Sequence, residues 1–195
     1  MAIRRFVYRE RQVKNCKNIK TIKEKEIKTF DNLKEQFGFK NVMQAPKLVK
    51  VVVSTGIGKI SDKKRKEFIG EKLALITGQK AAQRQAKKSI ATFKVRQGDF
   101  VGYQVTLRGD RMIDFLEKFI HIALPRTRDF RGLKATAIDD MGNMTIGIKE
   151  HNIFPETAEE DIKDVFGLAI TVVTTAKDKA QTKAFLEYLG FPFTK

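Results

Sequence analysis

The sequence predicts an α+β domain built on a mainly antiparallel β-sheet. Three observations point there. Residues 101–108 and 144–149 alternate apolar and polar positions with the two-residue period of a half-buried strand. A valine-rich run, Leu48 to Ser54, is too short and too β-branched for a helix. The helical segments fall between such strands without the regular βα alternation of a doubly wound parallel sheet.

From Asn18 to Phe37 the apolar residues Ile19, Ile22, Ile27, Phe30, Leu33 and Phe37 recur at helical steps, which predicts one amphipathic helix closed by Gly38. Pro46 introduces the strand at Leu48, and Gly56-Ile57-Gly58 closes it with a turn. Ser61 opens a second helix, in which Ile69, Leu73 and Ile76 keep helical spacing until Thr77-Gly78. Residues 78–97 hold no sustained period and read as a long basic connection with at most a turn of helix. Val101, Tyr103, Val105 and Leu107 then line the core face of a strand, with Gly102, Gln104, Thr106 and Arg108 on the other face. Asp110 is placed to cap a helix reaching about Ala123, just before Pro125. Residues 126–142 are irregular, with a short strand expected near Ala135 to Ile138. Met144, Ile146 and Ile148 mark the next strand. Thr157 and Glu160 match a capping box for a short helix closed by Gly167. Leu168 to Thr175 is a last strand, and Asp178 with Gln181 caps a last helix that ends at Gly190.

The chain has 195 residues, enough for one domain with an appendage, and 42% hydrophobic against 32% charged residues exclude a disordered polymer. No apolar run approaches the ~20 residues of a spanning helix, and the first residues lack the apolar stretch of a secretory signal, so neither secretion nor membrane insertion is expected. Cys16 is the only cysteine, which rules out an internal disulfide and suits a reducing compartment. Charge is the informative quantity. A net charge of +16 and a pI near 9.9 point to a polyanionic partner or an anionic membrane surface. The surplus is placed: residues 1–28 carry ten bases and three acids, and residues 78–97 carry six bases and no acid. The first 28 residues are accordingly set apart as a basic extension, and 29–195 as a single α+β domain.

Enzymatic motifs fail on inspection. Ser54-Thr55-Gly56-Ile57-Gly58-Lys59 sits between a strand and a helix, where phosphate-binding loops occur. Val53 and Ile60 occupy positions where a P-loop needs Gly and Ser or Thr, and Ser61 stands where a dinucleotide fingerprint needs its third glycine. His121, one turn after Glu117, is explained by an ion pair, and His151 lies at a strand exit. No metal-ligand spacing and no nucleophile–base set can be recognised. Asp139-Asp140 fits a solvated turn better than a magnesium site. Neither catalysis nor a cofactor is expected.

The outward strand positions say more. Gln104, Thr106, Arg108, Thr145, Lys149 and Thr171 share a face with donors and cations but no carboxylates. A merely solvated sheet has the same pattern. RNA binding gains because two long basic segments flank it: cations serve phosphates, while amides and hydroxyls suit 2′-OH groups and base edges. With no stacked aromatics on that face, folded RNA read by shape is favoured over splayed bases. Arg126, Arg128 and Arg131 enclose Asp129 and Phe130. They read as a phosphate clamp, or as an Arg–Asp pair fixing a loop with Phe130 in the core.

The strings "PKLVKVVVSTGIG", "ALITGQKAA", "AKKSIATFKVRQGDFVGYQVTLRGDRMIDFLEKF", "ALPRTRDFRGL", "NIFPE", "GLAITVVTTAK" and "LGFPFTK" closely resemble the universal large-subunit ribosomal protein L-five family, in one register from about Leu33 to Lys195. The resemblance implies a non-enzymatic structural protein of the large ribosomal subunit, with an antiparallel sheet and helices packed on one face. It implies binding of 5S rRNA and its attachment to 23S rRNA in the central protuberance. It also implies contact with the P-site tRNA and with a small-subunit head protein, among neighbouring large-subunit proteins. The matching 5S rRNA positions are Ser54, Gln79, Lys94, Arg96 and Thr106. The tRNA-facing loop corresponds to residues 80–91, with Arg84, Lys87 and Lys88. Arg108, Arg126, Arg128 and Arg131 are further RNA-contact candidates. The small-subunit contact falls on Asp139, Asp140, Met141 and Asn143.

Two departures stand out. Bacterial relatives usually carry Asn where Ser54 stands, so its hydrogen bond has a shorter reach or runs through water. The usual "DGRGNY" reads Asp139-Asp140-Met141-Gly142-Asn143-Met144 here, which alters the intersubunit contact. The long basic amino terminus reads as an added RNA-binding arm or as an organellar targeting segment. The expected location is thus the cytoplasmic ribosome, with an organellar ribosome as the lesser alternative. The competing functions are an extraribosomal RNA-binding regulator and a phosphate-cradling enzyme built on the Gly56 to Lys59 turn.

Overall fold

In the computed structural model, which describes residues 21–58, 60, 62–158 and 165–194, five strands form one antiparallel sheet with helices against one face. The predicted α+β class holds. In chain order the strands are β1 (Leu48–Gly56), β2 (Ala82–Gln85), β3 (Phe100–Leu107), β4 (Met144–Ile148) and β5 (Leu168–Thr174). Across the sheet they run β2-β3-β1-β5-β4, so β1 is central. Its register pairs Val51 and Val53 with Leu107 and Val105 on one side, and with Val172 and Ile170 on the other. All six are buried.

The expected first helix is two: α1 (Ile22–Ile27) and α2 (Thr29–Phe37), with Asn18 to Lys20 outside the described residues. The break at Lys28 has a local cause. The Thr29 hydroxyl donates to the Lys25 carbonyl at 3.1 Å and the Asn32 amide to the Lys28 carbonyl at 2.8 Å, bonds that compete with the helical ladder. Gly38 closes α2 in the left-handed conformation (φ 65°), as its position predicts. Residues 22–28, assigned to the basic extension by charge, are stitched to the body. Glu117 accepts the Ile22 N–H at 3.0 Å, Lys25 Nζ donates to the Leu189 carbonyl at 2.8 Å, and Glu26 accepts the Leu48 N–H at 3.0 Å. Ile22 is itself buried. Residues 1–20, with most of the extension's charge, lie outside the described region.

Helix α3 (Lys63–Thr77) buries Ile69, Leu73 and Ile76, and Gly78 ends it. Its cap is Asp62, whose carboxylate accepts the Lys64 N–H at 3.0 Å, one residue after the Ser61 opening expected. Strand β2 corrects the reading of 78–97 as mere connection. All four of its residues are exposed, so there is no apolar period to detect, and backbone pairing with β3 alone defines it. Helix α4 (Asp110–Lys118) continues through a π-turn at Phe119–Ala123 into a final turn, Leu124–Arg126. Asp110 is not its cap. Gly109, at φ 62°, occupies that position, and the Asp110 carboxylate pairs with Lys23 at 3.0 Å. Glu117, expected beside His121, instead accepts the Ile22 N–H.

Residues 135–138 are not a strand. Ala135–Ala137 form a 3-10 turn, and only Ile138 bridges to Met144. Thr157 is buried in the turn Pro155–Thr157 and donates to the His151 and Phe154 carbonyls; Glu160, its capping-box partner, lies outside the described residues. Asp178 precedes α5 (Lys179–Leu189) without a side-chain cap bond, and Gly190 ends that helix. His151 is a core residue. Its Nδ1 accepts the Phe166 N–H at 3.3 Å and its ring stacks on Phe166, 4.1 Å between centroids. Between α4 and the loop that follows β4, Phe115, Phe119 and Phe154 pack with centroids 6.1 to 6.4 Å apart.

Close backbone approach explains one glycine. A Cβ on Gly102 would collide with the Thr55 carbonyl oxygen across the β1–β3 pair, whereas one on Gly147 in β4 meets open space. Gly102→Ala is therefore expected to cost ~1–3 kcal/mol in chemical denaturation. Gly147→Ala should stay within ~0.5 kcal/mol of the parent. Equal stability of the two variants would refute this packing.

Candidate nucleic-acid interface

The face of the sheet turned away from the helices is polar and low. Alternation that buries Val51 and Val53 turns Val52 and Ser54 outward, and the register extends those positions into rows. One row runs Thr106, Val52, Thr171, Thr145, and the next Gln104, Ser54, Ala169, Gly147. The Thr145 and Thr171 hydroxyls lie 3.1 Å apart. None of these eight residues is acidic or aromatic, and Thr145 and Gly147 are exposed. Ser54 and Thr106 thus share one face, as alternation predicts. Small side chains let a ligand backbone approach hydroxyls and amides directly.

At the β2 edge the basic segment folds into a long hairpin. Beyond the β2–β3 pairing, Ala86 and Asp99 continue the ladder, Asp99 also accepts the Arg96 N–H at 2.7 Å, and Ile90 and Val95 exchange backbone bonds at the tip. Arg84, Lys87, Lys88, Lys94 and Arg96 are all exposed. Arg84 Nε donates to the Gln104 side-chain oxygen at 2.7 Å, tying hairpin to face. Between them lies an open cleft of about 1110 Å³, lined in part by Ser54 and Gln104 from the face and by Arg84, Lys87, Lys88 and Lys94 from the hairpin. Residues that the resemblance divides between 5S rRNA (Ser54, Lys94) and tRNA (Arg84, Lys87, Lys88) are neighbours in space.

The other predicted positions are dispersed. Gln79 follows the α3 cap, half-buried, its carbonyl accepting the Thr77 hydroxyl at 3.1 Å. Arg108 is exposed at the end of β3. Arg126 and Arg128 line a separate cavity of about 880 Å³ beside β4, together with Lys149 and Asn152. That loop is pinned by the chain end: Leu133 N–H donates to the Pro192 carbonyl at 2.7 Å, and Thr194 donates to the carbonyls of Leu133 and Arg131. Phe130 packs against the core, and among the described residues no carboxylate pairs with Arg126, Arg128 or Arg131. Asp139 to Asn143 form a tight turn. Gly142 sits at φ 76°, its carbonyl accepts the buried Thr174 hydroxyl at 2.7 Å, and Asp139, Asp140 and Met141 project into solvent.

The sequence places Gln104 on the polar face without a binding role and Ile90 inside the 80–91 loop without a role of its own, and gives Phe93 none. Phe93 carried a signal: it stands next to Lys94 and three residues before Arg96. Among the described residues no cluster of three or more His, Cys, Asp or Glu is placed to hold a metal ion. No helix among them is long and apolar enough to cross a membrane.

Comparison with known proteins places most of the chain in one family. Residues 41–96 match the family described as ribosomal protein L5, and residues 100–193 match the description of that ribosomal family's C-terminus. The large ribosomal subunit protein uL5 of Ureaplasma urealyticum serovar 10 is 50% identical over 169 residues, covering 86% of this chain and 92% of the relative. The protein of the same name from Flavobacterium johnsoniae is 49% identical over 164 residues, covering 84% and 90%, and that from Dichelobacter nodosus 48% over 175 residues, covering 89% and 96%. Kinship at that level over most of the chain leads to one conclusion: the chain belongs to the ribosomal protein L5 family, structural and non-enzymatic constituents of the large ribosomal subunit.

Proposed function

We propose that this chain binds 5S rRNA on its open sheet face and basic hairpin, helps attach it to 23S rRNA in the central protuberance, and contacts the P-site tRNA and the small-subunit head. The observation that carries the reading is the carboxylate-free polar face bordered by a hairpin of exposed lysines and arginines, in a chain of the L5 family. As a ribosomal protein it works on the ribosome in the cytoplasm.

The mechanism makes and breaks no bond. Lys94 and Arg96 neutralise phosphates and release counterions, while Ser54, Gln79 and Thr106 offer short polar contacts to sugar and base edges. Arg84, Lys87 and Lys88 face tRNA. Arg108, Arg126, Arg128 and Arg131 supply further phosphate contacts, and the basic residues that precede Thr21 add to them. The projecting turn of Asp139, Asp140, Met141 and Asn143 meets the small subunit, its carboxylates suited to a basic partner. Neighbouring large-subunit proteins complete the surroundings. The enzyme and regulator readings have no comparable observation in their favour.

Thr106→Ala is expected to weaken 5S rRNA binding by about 2- to 10-fold without changing the slope of log K against log salt, since an uncharged contact releases no counterion. Unchanged affinity with a reduced slope would count against that role. The double variant Lys87→Ala, Lys88→Ala should keep 5S rRNA affinity while weakening tRNA engagement on assembled ribosomes. Loss of 5S rRNA binding by the folded double variant would overturn the assignment of those lysines to tRNA.

A further inference from the structure

We propose that the cleft between the basic hairpin and the sheet face takes a single unstacked nucleobase, with Phe93 as its stacking platform. The inference rests on the RNA-binding reading above and goes beyond it, because the bare strands favour recognition of RNA by shape alone.

Phe93 is 72% exposed and is the one exposed phenylalanine or tyrosine among the described residues; Ile90 beside it is 46% exposed. Their exposure is built in. The tip is closed by reciprocal Ile90–Val95 backbone bonds of 3.0 and 3.3 Å and by the Ser89 hydroxyl on the Val95 carbonyl. Lys94 holds the left-handed conformation (φ 51°), unusual outside glycine, and its N–H closes the turn on the Ala91 carbonyl at 3.0 Å. An ordered turn therefore presents an apolar ring to solvent within a stretch of bases without acids.

Charge selects the occupant. Among the described residues lining the cleft there is no carboxylate, and Arg84, Lys87, Lys88 and Lys94 surround it. A base that leaves its stack brings two flanking phosphates to those cations and a π-face to Phe93. Ser54 and Gln104, on the sheet side, provide a hydroxyl and an amide for its edge, and Arg84 fixes the Gln104 amide through the 2.7 Å bond. An apolar protein segment would gain nothing from four cations.

The base can belong to 5S rRNA or to tRNA, and the test separates them. Affinity of the full-length protein for 5S rRNA and, separately, for deacylated tRNA is measured over several salt concentrations for the parent, Phe93→Ala and Phe93→Tyr. Phe93→Ala is expected to lose at least ~5-fold in affinity for one of the two RNAs at unchanged salt slope, with Phe93→Tyr within ~2-fold of the parent. The RNA whose affinity falls is the source of the base. Parent-like binding of both RNAs by Phe93→Ala overturns the inference and leaves the RNA-binding function standing. An equal loss in Phe93→Tyr, or a reduced slope in Phe93→Ala, overturns it as well. A parent protein that binds neither RNA refutes both readings together.

Discussion

The registered pairing of β1 with β3 and β5 is the constraint on which the rest of the molecule depends. It aligns Val51 and Val53 with Leu107, Val105, Val172 and Ile170, so that one face is continuously apolar and receives the helices. Burial of each such side chain stabilises by ~1.5–3 kcal/mol, which makes the register expensive to change. The same register places Ser54 beside Gln104 and Val52 between Thr106 and Thr171. A slip of one residue would carry Ser54 into the core and Val53 onto the open face. Core stability and the geometry of the polar face are thus two consequences of one alignment.

The remaining surfaces hang from the margins of this sheet and are held by a few backbone bonds. The hairpin prolongs the β2–β3 ladder beyond its last buried residue, and the Arg84–Gln104 bond folds it toward the face. The arginine loop is clamped by the C-terminal segment through Leu133, Pro192 and Thr194. Thr174, at the end of β5, reaches the turn before β4 through the Gly142 carbonyl. Polar groups that hold the fold and polar groups that face solvent are in this way largely distinct.

Elements with a buried face are legible from sequence, because burial imposes a period. The alternation at Tyr103 to Leu107 and at Met144 to Ile148, and the helical spacing of Ile69, Leu73 and Ile76, reappear as buried stripes, whereas Val101, expected on the core face, is half-buried and lines the cleft. Errors fall where no burial signal exists. Strand β2 is exposed along its whole length, and the split at Lys28 depends on side-chain bonds of Thr29 and Asn32 that no apolar period records. At the cap of α4, the residue type favours Asp110 over Gly109, whose positive φ is visible only in the backbone. The polar face is legible for the same reason as the core, since it is the complement of the alternation. Its cleft is not, because β1–β3 pairing sets Ser54 beside Gln104 across fifty residues of sequence and the exposed hairpin that brings Phe93 to the same cleft has no apolar period.

The central claim is that the sheet face, with Lys94 and Arg96 at its margin, forms a dedicated 5S rRNA surface rather than a general trap for polyanions. Its most direct test is binding of the purified protein to labelled 5S rRNA in an excess of unlabelled tRNA, titrated over several salt concentrations. Binding that persists under competition, and weakens with salt as expected for a limited number of phosphate contacts, is the predicted result. Complete displacement by tRNA at every salt concentration would contradict the account.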